Sequence, residues 1–143
     1  MKDIHITIYT KEKWKLEFTS VKEWWNFDKK SVSLHREGGP AVVWGDGRQE
    51  YWLNDKRHRT DGPAVIWSDK GEEYWFNGKR HREDGPAVVW IGGAGSYYLN
   101  GMHHTEEEYY KKLEEIDNLP LSLKLIHNEW WVRERVKKVK VLF

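Results

Sequence analysis

The chain has 143 residues, in which 24 lysines and arginines are balanced by 23 aspartates and glutamates, so the net charge is +1 and we expect no DNA partner. The lack of cysteine excludes disulfides, thiol nucleophiles and cysteine metal sites, and it fits a reducing compartment. The sequence has neither a secretory signal nor an apolar run of the ~20 residues that a membrane span requires, so we expect a soluble cytoplasmic protein.

The first 34 residues predict an N-terminal β cap. Apolar and polar side chains alternate over residues 4–8 and again over residues 14–18, a period of two that is typical of strands with one buried face. Residues 24–26, Trp-Trp-Asn, resemble a degenerate form of the repeat that follows. Stacked repeats need such an atypical end, because an open sheet edge would pair with another chain.

Residues 35–104 contain three copies of one 23-residue sequence, which we name the first copy (35–57), the second copy (58–80) and the third copy (81–103). Proline, alanine, tryptophan and histidine recur in them without slippage. The histidines are His35, His58, His81 and His104. A strict period of this length indicates one structural unit that is copied and stacked.

Each copy predicts short antiparallel strands. The segment Pro-Ala-Val-Val-Trp, with isoleucine for the second valine in the second copy, is β-branched and aromatic. Its proline stands at the strand start, where a missing N–H is tolerated. A turn and a second strand follow, and the copy closes on Asn-Asp or Asn-Gly, which accept the positive φ of a type I′ turn. We predict two or three short strands per copy, all in one antiparallel meander.

Residues 105–143 predict a C-terminal helical cap. Thr105 and Glu108 match a capping box that opens a helix over residues 106–116. The apolar stripe of this helix consists of Tyr109, Leu113 and Ile116. A second helix with a basic outer face is predicted over residues 129–140. The fold class is therefore mainly β with two C-terminal α-helices, in a single domain.

The motif Trp-x-Asn-Gly-Lys-Arg-His, clearest at residues 75–81, resembles the core of the MORN repeat, which has the same length and forms a β-hairpin. The extension His-Arg-x-Asp-Gly-Pro-Ala at residues 58–64 and 81–87 is similar to the longer repeats of bacteriophage and giant-virus accessory proteins, which often end in an acidic helix such as residues 106–116. MORN-like proteins are mostly interaction scaffolds, and some associate with lipid. The resemblance implies binding and names no ligand.

Arginine and aspartate recur together as Arg59–Asp61 and Arg82–Asp84. They form either a salt bridge within each copy or a row of guanidinium groups, ~10 Å apart, that suits an anionic ligand or an acidic partner surface. The first copy departs from the motif because Gly38 replaces the aspartate, so Arg36 is the arginine that we expect to be most available. The candidate binding residues in these basic runs are Arg36, Arg59, Arg82, Arg57, Arg80, His58 and His81.

The histidine ladder is not expected to hold a metal. Equivalent residues of successive hairpins lie ~9–10 Å apart, whereas zinc lies about 2 Å from each ligand. We expect each histidine to hydrogen-bond the backbone across the repeat turn and to pack beside a tryptophan. The third copy ends in His103-His104-Thr105 instead of Arg-His-Arg, and this adjacent pair is a weak metal signal because neighbours on a strand face opposite sides. We expect no metal and no cofactor.

Aromatic side chains form rows across the three copies. The first row is Trp44, Trp67 and Trp90, the second is Trp52, Trp75 and Tyr98, and the third is Tyr51, Tyr74 and Tyr97. Adjacent strand positions face opposite sides, so both faces of a flat sheet would carry rings. Either the sheet closes or doubles into two layers, or one aromatic face is left for a partner, a ligand or a second copy of the chain, in which case a homo-oligomer is expected.

The sequence has no nucleophile motif, phosphate-binding loop or HExxH motif, so we predict no enzyme activity. The first hypothesis is a binding protein of phage or viral type that inhibits a host protein, with a defence factor as the target that the resemblance implies, in the host cytoplasm. The second is a small-ligand binder that captures an anionic nucleotide between aromatic and arginine rows. The third is membrane-surface binding through the basic tail, residues 133–140, although we expect no membrane partner at this net charge.

Overall fold

The computed structural model describes residues 6–11, 15–18 and 33–120. Within them lie short β-strands and one α-helix, α1 (Glu106–Asp117). The strands are β1 (Ile6–Tyr9), β2 (Lys15–Phe18), β3 (Val42–Trp44), β4 (Gln49–Glu50), β5 (Trp52–Leu53), β6 (Lys56–Arg57), β7 (Val65–Ile66), β8 (Glu72–Glu73), β9 (Trp75–Phe76), β10 (Lys79–Arg80), β11 (Val88–Val89), β12 (Gly95–Leu99) and β13 (Met102–His104). The predicted helix over residues 129–140, the basic tail and the Trp-Trp-Asn segment lie outside the described residues.

Nine strands form one antiparallel sheet in the order β13-β12-β11-β8-β7-β4-β3-β1-β2, which confirms the predicted meander. The prediction that every strand lies in this sheet is wrong. The first two copies each have four short strands, and the last two of each form a separate two-stranded sheet, β5–β6 and β9–β10. Each of these copies therefore contributes one hairpin to the large sheet and a second hairpin beside it.

The change of sheet occurs at Tyr51 in the first copy. Its amide donates to the Ala64 carbonyl of the second copy (2.7 Å), and its own carbonyl accepts from the His58 amide (3.1 Å). Tyr74 makes the matching bonds with Ala87 and His81. The amide of each tyrosine thus continues the pairing of the large sheet, while its carbonyl already bonds within the second hairpin, so the pairing partner changes at this residue. The sequence does not show the break, since its aromatic and β-branched pattern continues across it.

The second hairpins are also joined from copy to copy by backbone hydrogen bonds. The amide of the glycine in a closing turn donates to the carbonyl of the arginine that ends the second hairpin of the preceding copy, in the pairs Gly78–Arg57 and Gly101–Arg80, both at 2.9 Å. The closing turns have the positive φ that the sequence predicts, for example 51° at Asn77 and 82° at Gly78. Both halves of the copies thus continue through the stack.

The N-terminal hairpin is confirmed over its described residues. Strand β1 pairs with β2 on one side and with β3 on the other, so it joins the cap to the first copy. Ile6, Ile8 and Val42 form a buried cluster at this junction. In each copy the alanine after the proline is fully buried, at Ala41, Ala64 and Ala87.

Helix α1 confirms the predicted C-terminal helix and its capping box. The Thr105 hydroxyl accepts from the Glu108 amide (3.2 Å), and the Glu108 carboxylate accepts from the Thr105 amide (2.9 Å). The buried residues of α1 are Tyr109, Leu113 and Ile116, as the stripe predicts. Tyr109 and Leu113 pack in one cluster with Leu99, and Ile116 packs against Phe76.

Candidate functional site

Three histidines hold the closing turns of their own copies. Each Nδ1 accepts a hydrogen bond from an asparagine amide 19 residues later, in the pairs His35–Asn54 (3.1 Å), His58–Asn77 (3.0 Å) and His81–Asn100 (3.1 Å). This is the backbone bond that the sequence predicts. The ring neighbour differs from the prediction, because His58 and His81 pack against Phe76, with centroids 4.7 and 6.1 Å away. We therefore assign His58 and His81 a structural role.

His58 differs from the other two in its surroundings. The Nε2 atoms of His35 and His81 lie 3.8 and 3.4 Å from a glutamate two residues later, whereas Thr60 follows His58 at that position. Burial lowers the pKa of His58 from its ordinary value of 6.5. The neutral ring that the Asn77 hydrogen bond requires is thus favoured by its environment.

A buried glutamate joins the two hairpins of the first copy, and the sequence analysis missed it. Glu50 is only 6% exposed, and its carboxylate accepts from the indole N–H of Trp44 and of Trp52, both at 3.2 Å. The Arg57 guanidinium donates to the same carboxylate at 3.1 Å, and Arg48 forms an ion pair at 3.4 Å. Both tryptophans and Arg57 therefore point into the interior of the stack.

The second copy repeats this arrangement around Glu73, which is 7% exposed. Trp67 and Trp75 donate to opposite carboxylate oxygens at 3.2 and 2.9 Å, and Arg80 completes the group at 3.3 Å. We name each group of glutamate, two tryptophans and arginine a glutamate clamp. A buried carboxylate is stable only with such donors, so the clamps explain why these side chains recur every 23 residues.

The third copy has lost the clamp. Ser96, Tyr98 and His103 stand at the positions of the glutamate, the second tryptophan and the arginine. Trp90 remains, and it is 52% exposed beside Ile91, which is 71% exposed. The sequence signal that could have revealed the clamp is that these three positions, which carry glutamate, tryptophan and arginine in the first two copies, all change together in the third.

Arginines lie between successive rings of the second aromatic row, Trp52, Trp75 and Tyr98. Arg57 lies 5.0 Å from the ring of Trp52 and 5.2 Å from that of Trp75. Arg80 lies in the same way between Trp75 (5.1 Å) and Tyr98 (5.5 Å). These ring faces are therefore already stacked with the chain's own cations, and each contact adds to the stability of the stack.

A second set of arginines lies over the tyrosine row. Arg36, Arg59 and Arg82 lie 3.8, 4.0 and 3.9 Å from the ring centroids of Tyr9, Tyr51 and Tyr74. Each also donates to the carbonyl of the following proline, at 3.1–3.2 Å. Arg59 and Arg82 pair with Asp61 (2.8 Å) and Asp84 (2.6 Å), as the salt-bridge interpretation predicts. The Arg59 guanidinium lowers the pKa of the Asp61 carboxyl.

Arg36 has no carboxylate partner among the described residues, since Gly38 replaces the aspartate. It opens onto a cleft of about 350 Å³, whose wall includes Arg36, Gly38, Gly39, Tyr51, Leu53 and Arg59. We name this the first-copy cleft. Of the predicted binding residues, the structure brings Arg36, Arg59 and His58 together here. It places Trp44, Trp52, Trp67, Trp75, Arg57, Arg80 and Tyr98 in or beside the clamps, and it leaves Trp90 exposed.

No family model, curated protein or solved structure matches this chain. Over the described parts of the chain, no group of three histidine, aspartate or glutamate side chains is placed to hold a metal ion. The same residues contain no helix with the length and apolar character that spanning a bilayer requires.

Proposed function

We propose that this chain is a non-enzymatic binding protein, a stack of three MORN-like copies that recognises a partner protein through its first copy. The stack itself accounts for most of the charged and aromatic side chains that the sequence offers as binding residues. The clamps hold four of the five candidate tryptophans, Arg57 and Arg80, while His58 and His81 bond to the closing turns. Recognition is therefore assigned to the place where the repeat pattern is incomplete.

The observation that carries the proposal is the missing aspartate beside Arg36. Arg59 and Arg82 each bond to an aspartate of the chain, whereas Arg36 faces the first-copy cleft without one. A carboxylate from a partner can supply the charge-assisted bond that Asp61 supplies to Arg59. The resemblance to phage and giant-virus repeats adds the expectation that this partner is a host defence protein and that binding inhibits it.

The test restores the missing aspartate. Gly38→Asp gives the first copy the Arg-x-Asp-Gly-Pro motif of the other two, so Arg36 is expected to pair internally and partner capture from a host lysate to fall at least tenfold. Gly38→Asn is the matched control. Asparagine has the same size as aspartate and is subject to the same backbone strain at a residue with φ of 76°, but it adds no charge. The proposal is contradicted if both variants capture the partner as the unmodified chain does, and also if both lose it to the same extent.

An anionic small ligand is the second candidate. The volume of the first-copy cleft, about 350 Å³, is in the range of small-ligand sites, and Arg36 supplies a cation. Glu37 and Asp61 also line the cleft and balance the charges of Arg36 and Arg59, so a nucleotide with several negative charges meets no net attraction, whereas a single carboxylate needs only Arg36. This favours a protein partner. A thermal-shift screen with nucleotides separates the candidates, because a nucleotide site predicts a shift of several degrees that Gly38→Asp abolishes.

A further inference from the structure

Tyr109 of α1 shows how one of these copies binds a side chain. Its hydroxyl accepts from the Gly85 amide (3.1 Å) and donates to the Arg82 carbonyl (2.8 Å). Its ring lies 4.8 Å from that of Tyr97, and it packs with Leu99. Tyr109 is fully buried there. Burial raises the pKa of its phenol to about 12, so the hydroxyl stays protonated and able to donate.

The first-copy cleft has the same residues two repeats earlier, except that the Arg59 guanidinium stacks on Tyr51 (4.0 Å), whereas Thr105 stands at the position of Arg59 in the third copy and Tyr109 packs on Tyr97. Two repeats correspond to 46 residues. The first-copy equivalents of Arg82, Gly85, Tyr97 and Leu99 are therefore Arg36, Gly39, Tyr51 and Leu53, and all four line the cleft. Gly39 is buried, as Gly85 is. Within the described residues, neither the Gly39 amide nor the Arg36 carbonyl has a hydrogen-bond partner. A phenol hydroxyl satisfies the equivalent pair in the third copy.

The length of α1 explains why this helix does not cover the first copy. Twelve residues span ~18 Å, and successive copies are ~10 Å apart, so the helix reaches only two of them. Tyr109 sits in the third copy, and Ile116, seven residues or ~10 Å further on, packs against Phe76 of the second. Phe76 is the second-copy equivalent of Leu53 and Leu99. The helix ends before the first copy.

Helix α1 also defines the sequence that such a site accepts. Glu106 accepts a hydrogen bond from the Tyr97 hydroxyl (2.8 Å), Tyr109 fills the site, and Leu113 packs with Leu99. These three residues share one face of a helix because they are spaced by three and four positions. The recognised pattern is thus Glu-x-x-Tyr-x-x-x-Leu on an acidic helix.

We propose that the first-copy cleft is a docking site for a tyrosine on an acidic helix of a partner protein. The tyrosine hydroxyl accepts from the Gly39 amide and donates to the Arg36 carbonyl, while a carboxylate of the same helix bonds to the Arg36 guanidinium. This inference rests on the proposed binding function and specifies the chemistry of its partner. The uncompensated Arg36 makes the first copy more attractive to an acidic helix than either of the other two.

The test uses the full-length chain and a synthetic peptide with the sequence of residues 105–118, held helical by a lactam bridge between the exposed Lys111 and Glu115 side chains. Amide NMR spectra are expected to show saturable shifts at Gly39, Tyr51 and Leu53. A Tyr109→Phe peptide loses both hydroxyl bonds and should bind about tenfold more weakly. The Tyr110→Phe peptide is the control, because Tyr110 is 54% exposed and should bind as the unmodified peptide does.

A second pair of variants places the binding site on the protein. Leu53→Glu is expected to abolish peptide binding, and Ile91→Glu, the same change at a 71% exposed side chain, is expected to leave it intact. Shifts at Gly85 in place of Gly39, or equal affinity of the two phenylalanine peptides, overturn the proposal. Peptide binding at Gly39 supports it even where no partner is captured. If capture of a partner protein is lost with Gly38→Asp but retained with Leu53→Glu, the tyrosine docking site is wrong, whereas the proposed binding through Arg36 still stands.

Discussion

Replacing Glu73 with glutamine tests whether the glutamate clamps hold the stack together. The Glu73 carboxylate accepts one indole N–H on each oxygen, from Trp67 at 3.2 Å and from Trp75 at 2.9 Å. Glutamine has a single acceptor oxygen, and its amide group presents a donor to the other indole. One buried indole N–H is therefore left without an acceptor, and Arg80 loses its charged partner.

The magnitude follows from these two losses. A buried donor without a partner costs ~1–3 kcal/mol, and a hydrogen bond to a charged group contributes ~1.5–3 kcal/mol. The Arg80 side chain is 37% exposed, so water replaces part of what it loses. We expect Glu73→Gln to lower the free energy of unfolding by ~3 kcal/mol, which corresponds to a fall of about 10 °C in Tm for a chain of this size.

Urea unfolding followed by tryptophan fluorescence measures this change, and Glu72→Gln is the matched control. Glu72 is the neighbouring residue, and it accepts from the Tyr74 hydroxyl (3.0 Å), a bond that the glutamine oxygen can keep. The control is expected to change the free energy of unfolding by less than ~0.5 kcal/mol. If the two variants unfold at the same urea concentration, the clamp is not a major source of stability.

Three further changes test individual contacts. Trp67→Phe removes a donor to Glu73 and should destabilise the chain by ~1–2 kcal/mol, while Trp90→Phe, without a clamp, should be near neutral in the same urea assay. His58→Gln should flatten the pH dependence of stability near pH 6. Because burial lowers the pKa of His58 in the folded chain, the unfolded chain binds more protons in acid. The contribution of His58 to stability is therefore fully present above pH 6.5, its ordinary pKa, and is lost as the pH falls through its folded pKa. Thr105→Ala removes the N-cap of α1 and should cost ~1 kcal/mol, and equal stability would contradict the cap's role.

Much of the fold could be predicted because its local signals agree with one another. The Asn-Gly turns, the alternating strands and the Thr105 capping box each depend on neighbouring residues, and all are found. The division into separate sheets could not be predicted, because it begins where the Tyr51 carbonyl accepts from the His58 amide in the second hairpin and no longer from the large sheet. Such a bond leaves no trace in the local pattern of residues.

The candidate site was predictable only in part, for a related reason. Arg36 was identified from the missing aspartate, which is visible as a departure from the repeat. The buried Glu50 and Glu73 were not, since glutamates on a strand, such as the adjacent pair Glu72 and Glu73, are usually solvated. What distinguishes them is a set of donors supplied by both hairpins of the copy, and only the folded chain brings those together.

The departures from the repeat are therefore its most informative positions. In the third copy the clamp is absent, and α1 covers that end of the stack by inserting Tyr109 between Arg82 and Tyr97. In the first copy the clamp is intact, and only the aspartate that closes the arginine is missing. A change that affects the clamp alters how a copy is held together, whereas the glycine at position 38 leaves the clamp intact and leaves Arg36 without the aspartate of the other copies. This separation of stability from recognition is why the first-copy cleft is the part of the chain to which we assign function.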